Sequence, residues 1–210
     1  MVLLFSFLFL VGIGTFAFHS TLDKNAQLLD ELPMLFGAAN SMLVSFNIPK
    51  NHKVSTSLLV NAICISACVL YIVNDNPVFH EVVFGLFILG SFFIGLFQTR
   101  KLNKKKLTLR NRYSPAYIMK RTGFYAALGF ALWNLDNHFC DNLIWVRSYI
   151  PFPFDGLFQL HAWWHWFTSL AAVYAINGFL FIRFLLMDVQ CHIIMRYHIL
   201  PTIIFTQKFE

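Results

Sequence analysis

The stretch Gly156-Leu157-Phe158-Gln159-Leu160-His161-Ala162-Trp163-Trp164-His165 opens a run free of Asp, Glu, Lys and Arg that continues to Ile182. A hydrocarbon core about 30 Å thick takes roughly 20 apolar residues of helix to cross, and this run is long enough. His161 and His165 stand four residues apart inside it. On a helix such positions share a face, with Cβ atoms about 5 to 6 Å apart, so both imidazoles can reach one ion. An ionisable side chain is costly in a bilayer, and its presence there marks a candidate functional site.

The remainder of the chain has the same character. Of 210 residues, 58% are hydrophobic and only 12% charged, and 25 are Phe. Charge-free runs extend over Met1–Leu22, Leu32–Pro49, Val54–Asn74 and Val82–Thr99, each approaching the length of a span. A sixth span, from about Tyr117 to Leu135, has Lys120 and Arg121 at its entry, where long aliphatic stems reach the interface. The expected fold is all-α, a polytopic transmembrane helix bundle with six spans. No internal repeat or low-complexity linker divides it, so residues 1–210 form one domain.

Cytoplasmic loops of membrane proteins carry an excess of Lys and Arg. Alternating sides across six spans places Lys50, Lys53, Arg100, Lys101, Lys104, Lys105, Lys106, Arg110, Arg112, Lys120, Arg121, Arg183, Arg196 and Lys208 together. Only Lys24 and Arg147 fall opposite, so the basic side is assigned to the cytosol, with both ends of this chain. Asp23, Asp30, Glu31, Asp75, Asp136, Asp141 and Asp155 collect on the other side, near all five tryptophans. The basic run from Arg100 to Arg121 lies between two spans, where it is a topological signal, and no nucleic-acid partner is expected. The first run lacks the basic flank of a signal peptide. Cys64 and Cys68 share a helix face as packing thiols, while Cys140 lies in a non-cytosolic loop, where it could pair.

Of the eight histidines, His52, His80, His138, His192 and His198 sit near span ends or in loops, where a solvated or interfacial imidazole is ordinary. His19 closes the first span on the side where the last span begins, which lets it join His161 and His165. Haem is the rival metal reading. Its axial ligands approach from opposite faces, whereas residues four apart on one helix project the same way. Three histidines with an open fourth position suit a catalytic zinc, whose Lewis acidity points to hydrolysis. No Glu follows His161, so a proton acceptor must come from elsewhere. Asp30, in Gln27-Leu28-Leu29-Asp30-Glu31-Leu32-Pro33-Met34, is the candidate; an acid ahead of a proline is also an ordinary helix start, and both readings stand on the residues alone.

Three segments resemble one family. Gly12-Ile13-Gly14-Thr15-Phe16-Ala17-Phe18-His19-Ser20-Thr21-Leu22, followed by Gln27 to Met34, resembles the first signature of the alkaline ceramidases. Ala131-Leu132-Trp133-Asn134-Leu135-Asp136, with Cys140, is similar to the middle motif, and Leu160-His161-Ala162-Trp163-Trp164-His165 to the last. The resemblance implies a seven-helix membrane amidase that uses zinc to split ceramide, taken from the bilayer, into sphingosine and a fatty acid. It implies zinc ligands at His19, His161 and His165, proton transfer by Asp30, and a hydroxyl beside the metal from Thr15, where the family has a serine. Threonine keeps the hydroxyl and adds a methyl on a stiff side chain.

By the same resemblance, this sequence starts inside the family's second helix. The first helix, and the acidic segment that binds Ca2+ ahead of it, are not represented, which leaves six spans of seven. The implied membrane is the endoplasmic reticulum or Golgi, with the carboxy terminus cytosolic and the metal site toward the lumen. In the implied mechanism Asp30 takes a proton from water and returns one to the leaving amine, with Thr15 holding the oxyanion or the water. The competing reading is a zinc-stabilised receptor-like or scaffold protein, or an inactive relative, without turnover. A protein side chain filling the fourth zinc position, from Cys64, Cys68 or another histidine, would mark that alternative.

Overall fold

A computed structural model describes residues 2–46, 53–102 and 113–205. His52, Pro49 and the basic residues Lys50, Lys104, Lys105, Lys106, Arg110, Arg112 and Lys208 lie outside them. The chain runs as α1 (Val2–Thr21), α2 (Lys24–Ser45), α3 (Lys53–Asn74), α4 (Pro77–Lys101), α5 (Pro115–His138), the short α6 (Cys140–Ser148), a 3-10 turn (Phe154–Phe158), α7 (Leu160–Leu186), β1 (Cys191–Arg196) and β2 (Leu200–Phe205). It is an all-α polytopic membrane fold with a small hairpin appended. Four helices, α1, α3, α4 and α7, are long and apolar enough to cross a membrane. The other two expected spans form long helices as well, α2 and α5, but these carry Lys24, Asp30 and Glu31, and Lys120, Arg121 and Asp136, respectively.

Local signals account for the helix starts. The Asp23 carboxylate accepts from the backbone N–H groups of Asn25 and Ala26 at the head of α2, and Asn76 does the same for Val78 and Phe79 ahead of α4. Ser114 caps α5 through Tyr117 N–H, and both α4 and α5 begin with proline, whose missing N–H costs nothing in the first turn.

Without water between them, spanning helices associate by close packing rather than by hydrophobic exclusion. The packing centres on α7, which lies most extensively against α5, while α1 lies against α2. Phe179, Phe181, Ile182 and Leu185 of α7 interlock with Ile118 and Met119 of α5 and with Ile193 of β1. A second cluster joins Leu35, Ala38 and Ala39 of α2 to Val60, Cys64 and Cys68 of α3 and Phe87 of α4. At Gly129 of α5 an added Cβ would meet Trp164 and Thr168 of α7 at 3.3 and 3.1 Å, so the absence of a side chain lets the two helices close up beside His165.

The hairpin is a feature that the sequence reading did not anticipate. Cys191–Arg196 and Leu200–Phe205 pair antiparallel, and Tyr174 of α7 donates a 2.7 Å hydrogen bond to the Ile199 carbonyl in the turn. Both strands are rich in isoleucine, which favours extended backbone. Burial pushes the Cys191 thiol up to about 11.

Candidate metal centre

The acid-bearing turns come together at one end of the bundle. Lys24 of α2 pairs with Asp75 of the α3–α4 turn, and Tyr71 of α3 donates to Glu31 of α2. At that end α1 delivers His19 in its last turn, and α7 delivers His161 and His165 in its first two. Each of the three imidazoles offers a ring nitrogen within 4.8 Å of the other two. The Nε2 atoms of His19 and His165 are 3.1 Å apart, and the three ring centroids are separated by 4.9 to 5.1 Å.

Those distances suit a metal ion. Two nitrogens bound tetrahedrally at Zn–N distances of about 2.0–2.1 Å lie roughly 3.3 Å apart, close to the separation of His19 and His165. The donor set is all nitrogen, and among the described residues no cysteine or carboxylate joins the group. Cys64 and Cys68 pack instead between α2, α3 and α4. Among the described residues the group holds three histidine nitrogens and no fourth side chain, and it could hold a metal ion.

Beside the histidines lies a buried carboxylate. Asp30 is 6% exposed, and Thr15 Oγ1 donates to its Oδ1 at 2.6 Å. Thr15 and His19 are four residues apart on α1 and so share a face, which puts the Thr15–Asp30 pair about one 5.4 Å turn from the first imidazole. The close meeting of α1 and α2 here depends on Gly14: a Cβ on it would fall 2.2 Å from the Leu29 carbonyl oxygen and 2.6 Å from the Asp30 nitrogen. Pro33, inside α2, has no N–H to offer that same Leu29 carbonyl, which faces Gly14 of α1.

A family model described as Ceramidase matches residues 1–204. The chain belongs to the ceramidase family. It is similar to alkaline ceramidase 3 of Mus musculus, 29% identical over 93% of this chain and 71% of that protein. It is 27% identical to an alkaline ceramidase of Saccharomyces cerevisiae, over 93% of this chain and 66% of the relative. A putative alkaline ceramidase of Dictyostelium discoideum is 26% identical, over 85% and 62%. The chain thus spans about two thirds of the length of these relatives.

In this member of the ceramidase family, Thr15, His19, Asp30, His161 and His165 all gather at one end, brought there by the consecutive helices α1 and α2 and by the distant α7. Two neighbours of the site, Asp136 of the middle motif and His80, had no role there on the sequence alone. Asp136 of α5 sets its Oδ2 3.9 Å from His161 Nδ1, and nothing in the spacing of the two residues announces it. His80, expected to be solvated or interfacial, is 5% exposed: its Nε2 lies 3.2 Å from the Glu31 carbonyl oxygen and its ring stacks on Phe84. The other histidines vary. His138 is exposed and bonded to the Asn134 carbonyl, and His198 is exposed in the hairpin turn. His192 has a buried Nδ1 with no hydrogen-bond partner among the described residues.

Proposed function

We propose that this chain is a zinc-dependent membrane amidohydrolase that cleaves the ceramide amide bond to sphingosine and a free fatty acid. The observation that carries the reading is the meeting of His19, His161 and His165 within 4.8 Å, beside a buried Asp30 already held by Thr15. Family membership supplies the substrate class, through relatives whose names describe alkaline ceramidases.

His19, His161 and His165 would hold the zinc, which when bound supplies Lewis acidity for polarising an amide carbonyl and acidifying water. Asp30 is the proton carrier. Its Oδ1 is engaged by the Thr15 hydroxyl, which fixes the carboxylate plane and leaves Oδ2 to accept a proton from the attacking water. As the C–N bond breaks, Asp30 returns that proton to the departing sphingosine amine, and the water oxygen remains in the fatty acid. Thr15 orients Asp30 in this scheme, and its hydroxyl oxygen would hold the attacking water as an acceptor. In this scheme ceramide would enter laterally from the bilayer, its two alkyl chains remaining among the apolar helix faces.

The topology belongs to the same proposal. Six spans would put the basic segments and the carboxy terminus in the cytosol and the histidines toward the lumen of the endoplasmic reticulum or Golgi. Ceramide hydrolysis by the purified protein tests the chemistry. Activity should vanish on treatment with a zinc chelator and return with Zn2+, and fall by at least about 100-fold in His165→Ala and Asp30→Asn. Turnover that resists the chelator, or wild-type rates in either variant, would remove the mechanism.

A further inference from the structure

Asp136 has no part in the scheme above, and its position calls for one. It lies in the last turn of α5, two residues before the helix ends at His138. The C-terminal end of a helix carries partial negative charge, so a carboxylate there is disfavoured by the helix that bears it. Among the described residues this carboxylate faces His161, with Oδ2 3.9 Å from Nδ1 across the α5–α7 interface, and both side chains are partly exposed, His161 at 35% and Asp136 at 24%. Close packing of α5 on α7 at Gly129 and Thr168, two turns away along each helix, fixes that approach.

A neutral imidazole carries one proton, and whichever nitrogen holds it cannot bind a cation. A carboxylate opposite Nδ1 favours the Nδ1–H tautomer and leaves Nε2 with its lone pair. At 3.9 Å the contact is electrostatic, and a movement of about 1 Å makes it a hydrogen bond. We propose that Asp136 is the positioning residue of His161: it selects the tautomer and ring orientation that present Nε2 to the cation shared with His19 and His165. This rests on the metal reading of the three histidines.

Zinc affinity of the purified, detergent-solubilised chain tests the proposal, measured by competition with a chromogenic chelator and independently of turnover. Asp136→Asn should weaken zinc binding by 10- to 100-fold. The thermal midpoint of the metal-free protein should stay the same or rise, because the unfavourable helix-end charge is gone. Asp136→Glu keeps a carboxylate within reach and should bind zinc more tightly than Asp136→Asn. In a His161→Ala background Asp136→Asn should have no further effect, since the carboxylate acts through that ring.

Unchanged zinc affinity in Asp136→Asn, equal losses in Asp136→Asn and Asp136→Glu, or an undiminished effect in the His161→Ala background would each overturn the proposal. So would an Asp136→Asn protein that fails to fold, which would make the carboxylate structural. Wild-type protein that takes up no zinc is a different result: it removes the metal reading itself.

Discussion

Gly14→Ala separates the geometry of this site from its chemistry, because it changes no polar atom. The new Cβ would fall 2.2 Å from the Leu29 carbonyl oxygen, so α1 and α2 must part by about 1.2 Å to reach ordinary contact. Both near atoms are backbone and cannot swing away. The Thr15–Asp30 hydrogen bond, 2.6 Å in the structure, would open to roughly 3.8 Å, beyond hydrogen-bonding range. Two effects on stability oppose each other: overpacking costs about 1–3 kcal/mol, while replacing a helical glycine by alanine returns up to about 1 kcal/mol. The fold should therefore survive with a modest loss. Catalysis should not, since a misplacement of about 1 Å can cost on the order of 100-fold in rate.

The measurement is ceramide hydrolysis and thermal unfolding of Gly14→Ala beside Gly12→Ala, which lies on the same helix with open space around it. Gly12→Ala should retain near wild-type activity. Adding Thr15→Val to Gly14→Ala should cost little more, because the bond is already broken. Activity of Gly14→Ala within about twofold of wild type, or an equal loss in Gly12→Ala, would refute the idea that this helix approach sets the site.

Further outcomes follow from single contacts. Thr15→Val leaves the buried Asp30 without its donor and should lower the rate about 10- to 100-fold, while Thr15→Ser, which keeps the hydroxyl, should stay close to wild type; equal rates for the two would show that the hydroxyl is not used. Tyr71→Phe removes the donor that ties α3 to Glu31 of α2 and should cost about 1–3 kcal/mol, read from the shift in thermal unfolding, with no shift counting against the contact. Cys140 is exposed, whereas Cys64, Cys68 and Cys191 are buried, and the Cys191 thiol stays protonated until the pH nears about 11. A membrane-impermeant maleimide at pH 7 should therefore label Cys140 alone, and in sealed microsomes only after permeabilisation; labelling of intact vesicles would invert the topology.

What the sequence determined by itself is what depends on local period and composition. Long runs without charge require helices in a bilayer, because backbone groups there have no other way to be satisfied, and the bundle of long helices follows. The spacing of His161 and His165 makes them a pair on any helix, whereas the starts of α2, α4 and α5 lie ahead of the charge-free runs, at caps on Asp23, Asn76 and Ser114 that the structure shows. The hairpin after α7 was hidden because isoleucine-rich segments at a membrane boundary have no period that separates strand from helix.

Only the tertiary structure decided how the helices turn and slide against one another. The approach at Gly14 puts Thr15 on Asp30, Asp136 meets His161 across α5 and α7, and His80 is drawn inward to Glu31 rather than left in solvent or at the interface. These contacts join residues up to dozens of positions apart. Helical period states which face of a helix a residue occupies, but the rotation and register that aim two faces at each other arise from side-chain packing along whole interfaces.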